Sequence, residues 1–109
     1  MLEPLLGSTS AERVLMFILA RNEGYVREIA RFSGGDPDSI QKQLAKFESS
    51  GVLVSKSAGR TRLYSFNPRY PFFKQLKALL EKAMSFYARE EREKLLMNRR
   101  RPRRRGKPL

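Results

Sequence analysis

A chain of 109 residues is long enough for one small domain and too short for two ordinary ones, and its 40% of hydrophobic residues supplies a modest core. Its formal net charge of +12 points to a polyanionic partner, nucleic acid ahead of an acidic membrane surface. Cysteine and histidine are both absent, which excludes disulfides, denies zinc and soft metals their usual ligands, and removes the commonest general base.

The charge is unevenly placed. Residues 1–98 hold 16 Lys+Arg against 11 Asp+Glu, whereas residues 99–109 hold seven Lys+Arg and no acid. The domain itself is therefore only mildly basic. The start, "MLEPLLGSTS", lacks the basic and apolar regions of a signal peptide. No stretch approaches the roughly 18 apolar residues of a membrane span. A cytoplasmic chain with no membrane contact is expected.

In chain order, "LEPLLG" is a short apolar arm of Leu2, Leu5 and Leu6. "STSAERVLMFILARNEG" reads as a helix: Thr9 and Glu12 have capping-box spacing, Val14, Leu15, Ile18 and Leu19 share a face, and Gly24 is placed to stop it. Tyr25 and Val26 are β-prone and fit an isolated strand pair. "REIARFSGG" is a short helix, with Ile29, Ala30 and Phe32 apolar and Gly34-Gly35 as its end. In "DPDSIQKQLAKFESSGVL", Asp36 is the expected N-cap and Pro37 the first helical residue. Ile40, Leu44 and Phe47 face inward, and Gly51 terminates the helix.

The period then changes. Val52, Leu53 and Val54 begin an extended run, Ser57-Ala58-Gly59-Arg60 is a turn, and "TRLYSF" runs back, closed by Asn67-Pro68. "YPFFKQLKALLEKAMSFYAREEREKLLM" reads as one long helix. Its apolar stripe joins Phe73, Leu76, Leu80, Ala83 and Tyr87, widened by Phe72 and Leu79. "NRRRPRRRGKPL" is too polar to fold and reads as a disordered basic tail.

A short helix followed closely by a helix with a polar outer face is the order of a helix-turn-helix, and the basic hairpin after it can reach flanking backbone. On these residues "YVREIARFSGGDPDSIQKQLAKFESSGVLVSKSAGRTRLYSFNP" resembles the winged helix-turn-helix of ArsR-like and MarR-like transcriptional regulators. "REIA" opens the first helix of the motif, "SIQKQLAKFESSGVL" is the recognition helix with its stop, and "GRTRLYSFNP" is the wing. "YPFFKQLKALLEKA" is similar to a subgroup in which winged domains accompany nucleotidyltransferases. The resemblance covers roughly residues 5–85.

The resemblance implies a mainly α fold with a small β-hairpin (α+β): a three-helix core, a two-stranded wing and a long C-terminal helix. Residues 1–70 form the DNA-binding domain, 71–98 a dimerisation helix and 99–109 the tail. It implies a homodimeric, sequence-specific binder of double-stranded DNA, expected to be a repressor. The recognition helix offers Ser39, Gln41, Lys42, Gln43 and Lys46, with Asp38 unexplained among them. Gln41 and Lys42 are the expected base readers. The wing offers Lys56, Arg60, Thr61 and Arg62. The tail offers Arg99, Arg100, Arg101, Arg103, Arg104, Arg105 and Lys107 as phosphate contacts without sequence information, or as a merely solvated run. Leu5, Leu6, Phe72, Phe73, Leu76, Leu80, Ala83 and Tyr87 form the expected dimer seam.

The chain departs from the family in two ways. Without Cys or His it lacks the metal-sensing ligands of many ArsR-like proteins, and no acidic triad follows its lone Gly7-Ser8 pair, so no transferase activity is inferred. No catalytic residue, cofactor or metal is expected. The alternative readings are a protein-interaction module paired with a separately encoded nucleotidyltransferase-type partner, and a nonspecific nucleic-acid binder acting through the Arg-rich tail.

Overall fold

The structure, a computed structural model, describes residues 1–96; the side chains of Glu90, Lys94 and Leu96 are not described. The elements are α1 (Glu3–Leu6), α2 (Thr9–Arg21), β1 (Glu23–Gly24), α3 (Val26–Ser33), α4 (Pro37–Ser49), β2 (Leu53–Ala58), β3 (Thr61–Phe66), α5 (Phe73–Met84) and α6 (Arg89–Leu96). The architecture is α+β, as expected. The strands form one antiparallel sheet in the order β1-β3-β2.

α2 is the axis of the core. Ala11, Val14, Leu15, Met16, Phe17 and Ile18 are all buried, so burial extends well beyond the single face foreseen from Val14, Leu15, Ile18 and Leu19, of which Leu19 is only half-buried. A helix apolar around most of its circumference must be enclosed by other elements. Its start differs from the expected capping box. Ser8, extended at φ −170°, is the N-cap, and its hydroxyl accepts the Ala11 N–H at 3.0 Å. Glu12 is thereby released from capping and is buried instead, accepting the Leu2 N–H at 2.9 Å and the Tyr87 hydroxyl at 2.6 Å.

The helix stops at Asn22, in the left-handed region at φ 73°, and not at Gly24. Gly24 belongs to β1, where a Cβ would come within 2.9 Å of the Phe17 ring. Its missing side chain lets the strand lie against α2. The expected strand pair at Tyr25-Val26 is thus shifted to Glu23-Gly24, which pair with Ser65 and Tyr64 and add a third strand to the wing sheet. Tyr25 instead precedes α3, where its N–H donates to Glu28 Oε1 at 3.2 Å.

α4 starts and ends as its sequence requires. Asp36 accepts the Ser39 N–H at 3.3 Å, Pro37 occupies the first turn, and Ile40, Leu44 and Phe47 are buried. At the end, Gly51 sits at φ 87°, the Gly51 N–H donates to Glu48 O and the Val52 N–H to Phe47 O. That paired reversal satisfies the last carbonyls and turns the chain directly into β2. β2 and β3 are joined by Gly59-Arg60 alone, tighter than the four-residue turn expected, with Gly59 at φ 67°. Asn67 closes the base of the wing, donating from Nδ2 to Gly51 O at 2.9 Å.

The single long C-terminal helix is interrupted. After Met84 the bonds shorten to three-residue spacing, with Phe86 N–H on Ala83 O and Tyr87 N–H on Met84 O. The Ser85 hydroxyl donates to Lys82 O at 2.6 Å, competing with the helical ladder. The break lets Tyr87 reach Glu12, and α6 returns to the core, where Leu95 is buried and its carbonyl accepts from Arg21 Nε at 3.1 Å. No helix among the described residues is long and apolar enough to cross a membrane.

Candidate nucleic-acid interface

The inner ends of α3 and α4 and the tip of the wing enclose an open groove of about 660 Å³. Arg27, Arg31, Arg60 and Arg62 line it, against one carboxylate, Glu28. Tyr25, Gln41, Thr61 and Tyr64 complete the polar lining. Four guanidiniums around one concavity focus positive potential and present planar donors suited to phosphate oxygens.

The sheet register sorts the wing. Side chains alternate along a strand, so Ser55, Ser57, Arg62 and Tyr64 share one face while Lys56 and Leu63 share the other. Arg62 therefore faces the groove and Lys56 does not line it, while Arg60 and Thr61 reach the groove from the turn at the wing tip. Arg62 is held on its face: Nε donates to Ser55 Oγ at 2.9 Å and Nη1 approaches Ser57 Oγ at 3.4 Å. The Ser55 hydroxyl donates in turn to Glu48 Oε2 at 2.6 Å.

The α4 residues separate in the same way. Gln41 is exposed at the groove, and its Nε2 donates to the Tyr64 hydroxyl at 3.2 Å. Lys42 is exposed on the outer face, outside the groove lining. Ser39 is half-buried, its N–H committed to Asp36. Gln43 is also half-buried, with Oε1 shielded from solvent and without a hydrogen-bond partner, so it flanks the core and is not presented outward. Lys46 turns away altogether: its Nζ donates to Leu6 O at 3.1 Å and lies 4.8 Å from the Phe47 ring centroid, capping α1. Asp38 lies in the first turn of α4, where a carboxylate complements the helix dipole by about 0.3–1 kcal/mol. The tail cations, Arg99 through Lys107, lie outside the described residues.

Arg27 and Arg31 were missed from the sequence. Their signal was present: arginines at i and i+4 of a short helix stand on one face.

The expected dimer seam divides. Leu5 and Phe72 are 70% and 62% exposed, and Leu79 joins them at the surface. Leu6, Tyr70, Phe72, Leu76 and Leu79 line an apolar groove of about 330 Å³. Phe73 is half-buried, its ring 5.7 Å from that of Phe66 at the wing base. Leu80 and Ala83 are buried inside the chain and belong to its core, since one turn of α5 packs on α2. Tyr87 is half-buried and occupied by Glu12. Burial and that carboxylate together raise the phenol's pKa well above its ordinary value.

No protein-family model matches the chain, and no curated protein matches it. Among solved structures the chain is similar to Lactococcus lactis ZitR, determined as a mutant in apo form, with 24% sequence identity and a TM-score of 0.54. The likeness covers 78% of this chain and 73% of that one, and it is a likeness of fold. The chain carries a winged helix-turn-helix fold, with α3 and α4 as the helical pair and β2–β3 as the wing.

Proposed function

We propose that the protein is a transcriptional regulator that binds double-stranded DNA, of the ArsR-like or MarR-like kind, cytoplasmic and acting as a homodimer and repressor. The observation that carries this reading is the four-arginine groove built jointly by α3, α4 and the wing tip. In this arrangement Arg27, Arg31, Arg60 and Arg62 hold phosphates on either side of α4, while Gln41 and Lys42 face base edges. Two α4 helices would enter successive major grooves about 34 Å apart. Residues 1–70 serve as the reader and 71–98 as the pairing segment, with the tail adding nonspecific affinity.

The exposed stripe of Leu5, Phe72 and Leu79 favours a second protein surface. A second copy is the partner proposed; a separately encoded nucleotidyltransferase-type partner is the rival. The predominance of arginines in the lining supports binding of an anion rather than catalysis.

Fluorescence anisotropy on a labelled duplex, with the full chain and with residues 99–109 removed, tests the assignment to the winged domain. The shortened chain is expected to bind with a shallower salt dependence. Abolished binding would assign the activity to the tail.

A further inference from the structure

Among the described residues, Arg62 is the groove arginine whose guanidinium is docked on a relay of hydroxyls, and that relay begins on the recognition helix. Glu48 Oε2 accepts the Ser55 hydroxyl proton at 2.6 Å, and Ser55 Oγ accepts Arg62 Nε–H at 2.9 Å. A hydroxyl has one proton. Committing it to Glu48 turns the oxygen's lone pairs toward the arginine. Glu48 and Ser55 are half-buried, whereas Arg62 is exposed. The relay therefore fixes the Nε edge of an otherwise free side chain. With Nη1 leaning on Ser57 at 3.4 Å, the remaining N–H donors stay available to the groove.

From this geometry we infer that Glu48 and Ser55 are positioning residues for Arg62: they aim its guanidinium at a DNA phosphate and couple the wing to α4. The inference rests on the DNA-binding reading above. It also accounts for an acid in an otherwise basic interface. By charge alone, Glu48 repels phosphate and loads the C-terminal turn of α4 with the wrong sign for the helix dipole. Preorganising a long side chain removes part of the ordering cost of binding, worth about three- to tenfold in affinity per side chain.

The test is a set of anisotropy titrations of the full chain on one duplex at several salt concentrations. The variants are Arg62→Ala, Ser55→Ala, Ser55→Thr, Glu48→Ala and the double variant Ser55→Ala/Arg62→Ala. Arg62→Ala should weaken binding and flatten the log K against log salt slope by about 0.9, the loss of one phosphate contact. Ser55→Ala should weaken binding about three- to tenfold while leaving the slope unchanged, because no charge is lost. Ser55→Thr, which keeps the hydroxyl on a strand, should restore it. Glu48→Ala should weaken binding too, opposite in sign to the electrostatic effect of removing an acid. Ser55→Ala should add nothing once Arg62 is Ala.

A Ser55→Ala loss that persists in the Arg62→Ala background, or a Glu48→Ala gain, would overturn the positioning role while leaving the DNA reading intact. Unchanged affinity and slope for Arg62→Ala would overturn both the relay and the wing's part in DNA binding.

Discussion

The Gln41 side-chain amide donates to the Tyr64 hydroxyl at 3.2 Å, so the outer face of α4 is tied to the wing across 23 residues of sequence. Tyr64 is buried, and its hydroxyl holds the side chain of the exposed Gln41. Under the proposed function, Gln41 then presents its carbonyl oxygen in one orientation. Gln41→Ala should relax preference at one base position by roughly 1–3 kcal/mol. Tyr64→Phe should leave the fold intact and relax the same position by a smaller amount. Competition between a preferred duplex and its single-base variants measures both. Equal losses on preferred and random duplexes would remove Gln41 from readout.

On the same helix as the exposed Lys42, Lys46 is engaged within the chain. Its bond to Leu6 O caps α1. Lys46→Ala should cost about 0.5–1.5 kcal/mol of stability, read by urea unfolding, and leave the salt slope of DNA binding unchanged. Lys42→Ala, with its side chain exposed, should do the reverse.

Glu12 and Tyr87 fasten the break between α5 and α6 to α2. The folded phenol has a raised pKa, first from burial and then from the Glu12 carboxylate. The unfolded tyrosine titrates near about 10. A raised folded pKa means that the stabilisation is complete below about 10 and is lost as pH climbs from there toward the folded value. The urea midpoint of the wild type should therefore fall more steeply than that of Tyr87→Phe between pH 9 and 11, by order-of-magnitude reasoning from that unfolded value. At neutral pH, Tyr87→Phe should be about 1–3 kcal/mol less stable, because a bond to a charged carboxylate is lost. Parallel midpoints across that range would show that the phenol does not carry the effect.

Phe72 stands clear of the monomer core at 62% exposure and lines the apolar groove with Leu76 and Leu79. Phe72→Glu should leave the monomer folded, since little packing is lost, yet place charges within the proposed apolar seam. Sedimentation velocity should show a shift from dimer to monomer, accompanied by weaker binding to paired half-sites. A variant that sediments like the wild type would move the partner surface elsewhere.

Much of the fold was legible because local chemistry and tertiary structure agree. Asp36-Pro37 starts α4, Ile40, Leu44 and Phe47 anchor it, and Gly51 releases it into the wing. The misreadings came from long-range contacts. Glu12 had the right spacing for a capping box, but Leu2 and Tyr87 claim its carboxylate from positions 10 residues before and 75 after it. Gly24 looked like a stop; its actual constraint is the Phe17 ring. The apolar stripe after Phe72 has one period whether it meets its own core or a second copy, so Leu80 and Ala83 could not be told from Phe72 until burial was known. Lys46 and Lys42 likewise share a polar face in sequence, and only the position of Leu6 separates them. Arg27 and Arg31 join Arg60 and Arg62 only once α3 packs beside the wing.

Selection of the full chain against a random duplex library at two salt concentrations tests the central claim most directly. Enrichment of a near-palindromic sequence at both concentrations, with half-sites about one helical turn apart and one position relaxed by Gln41→Ala, is the expected result. Salt-sensitive retention of DNA without enrichment of any sequence would contradict specific readout by α4 and leave only nonspecific attraction to charge.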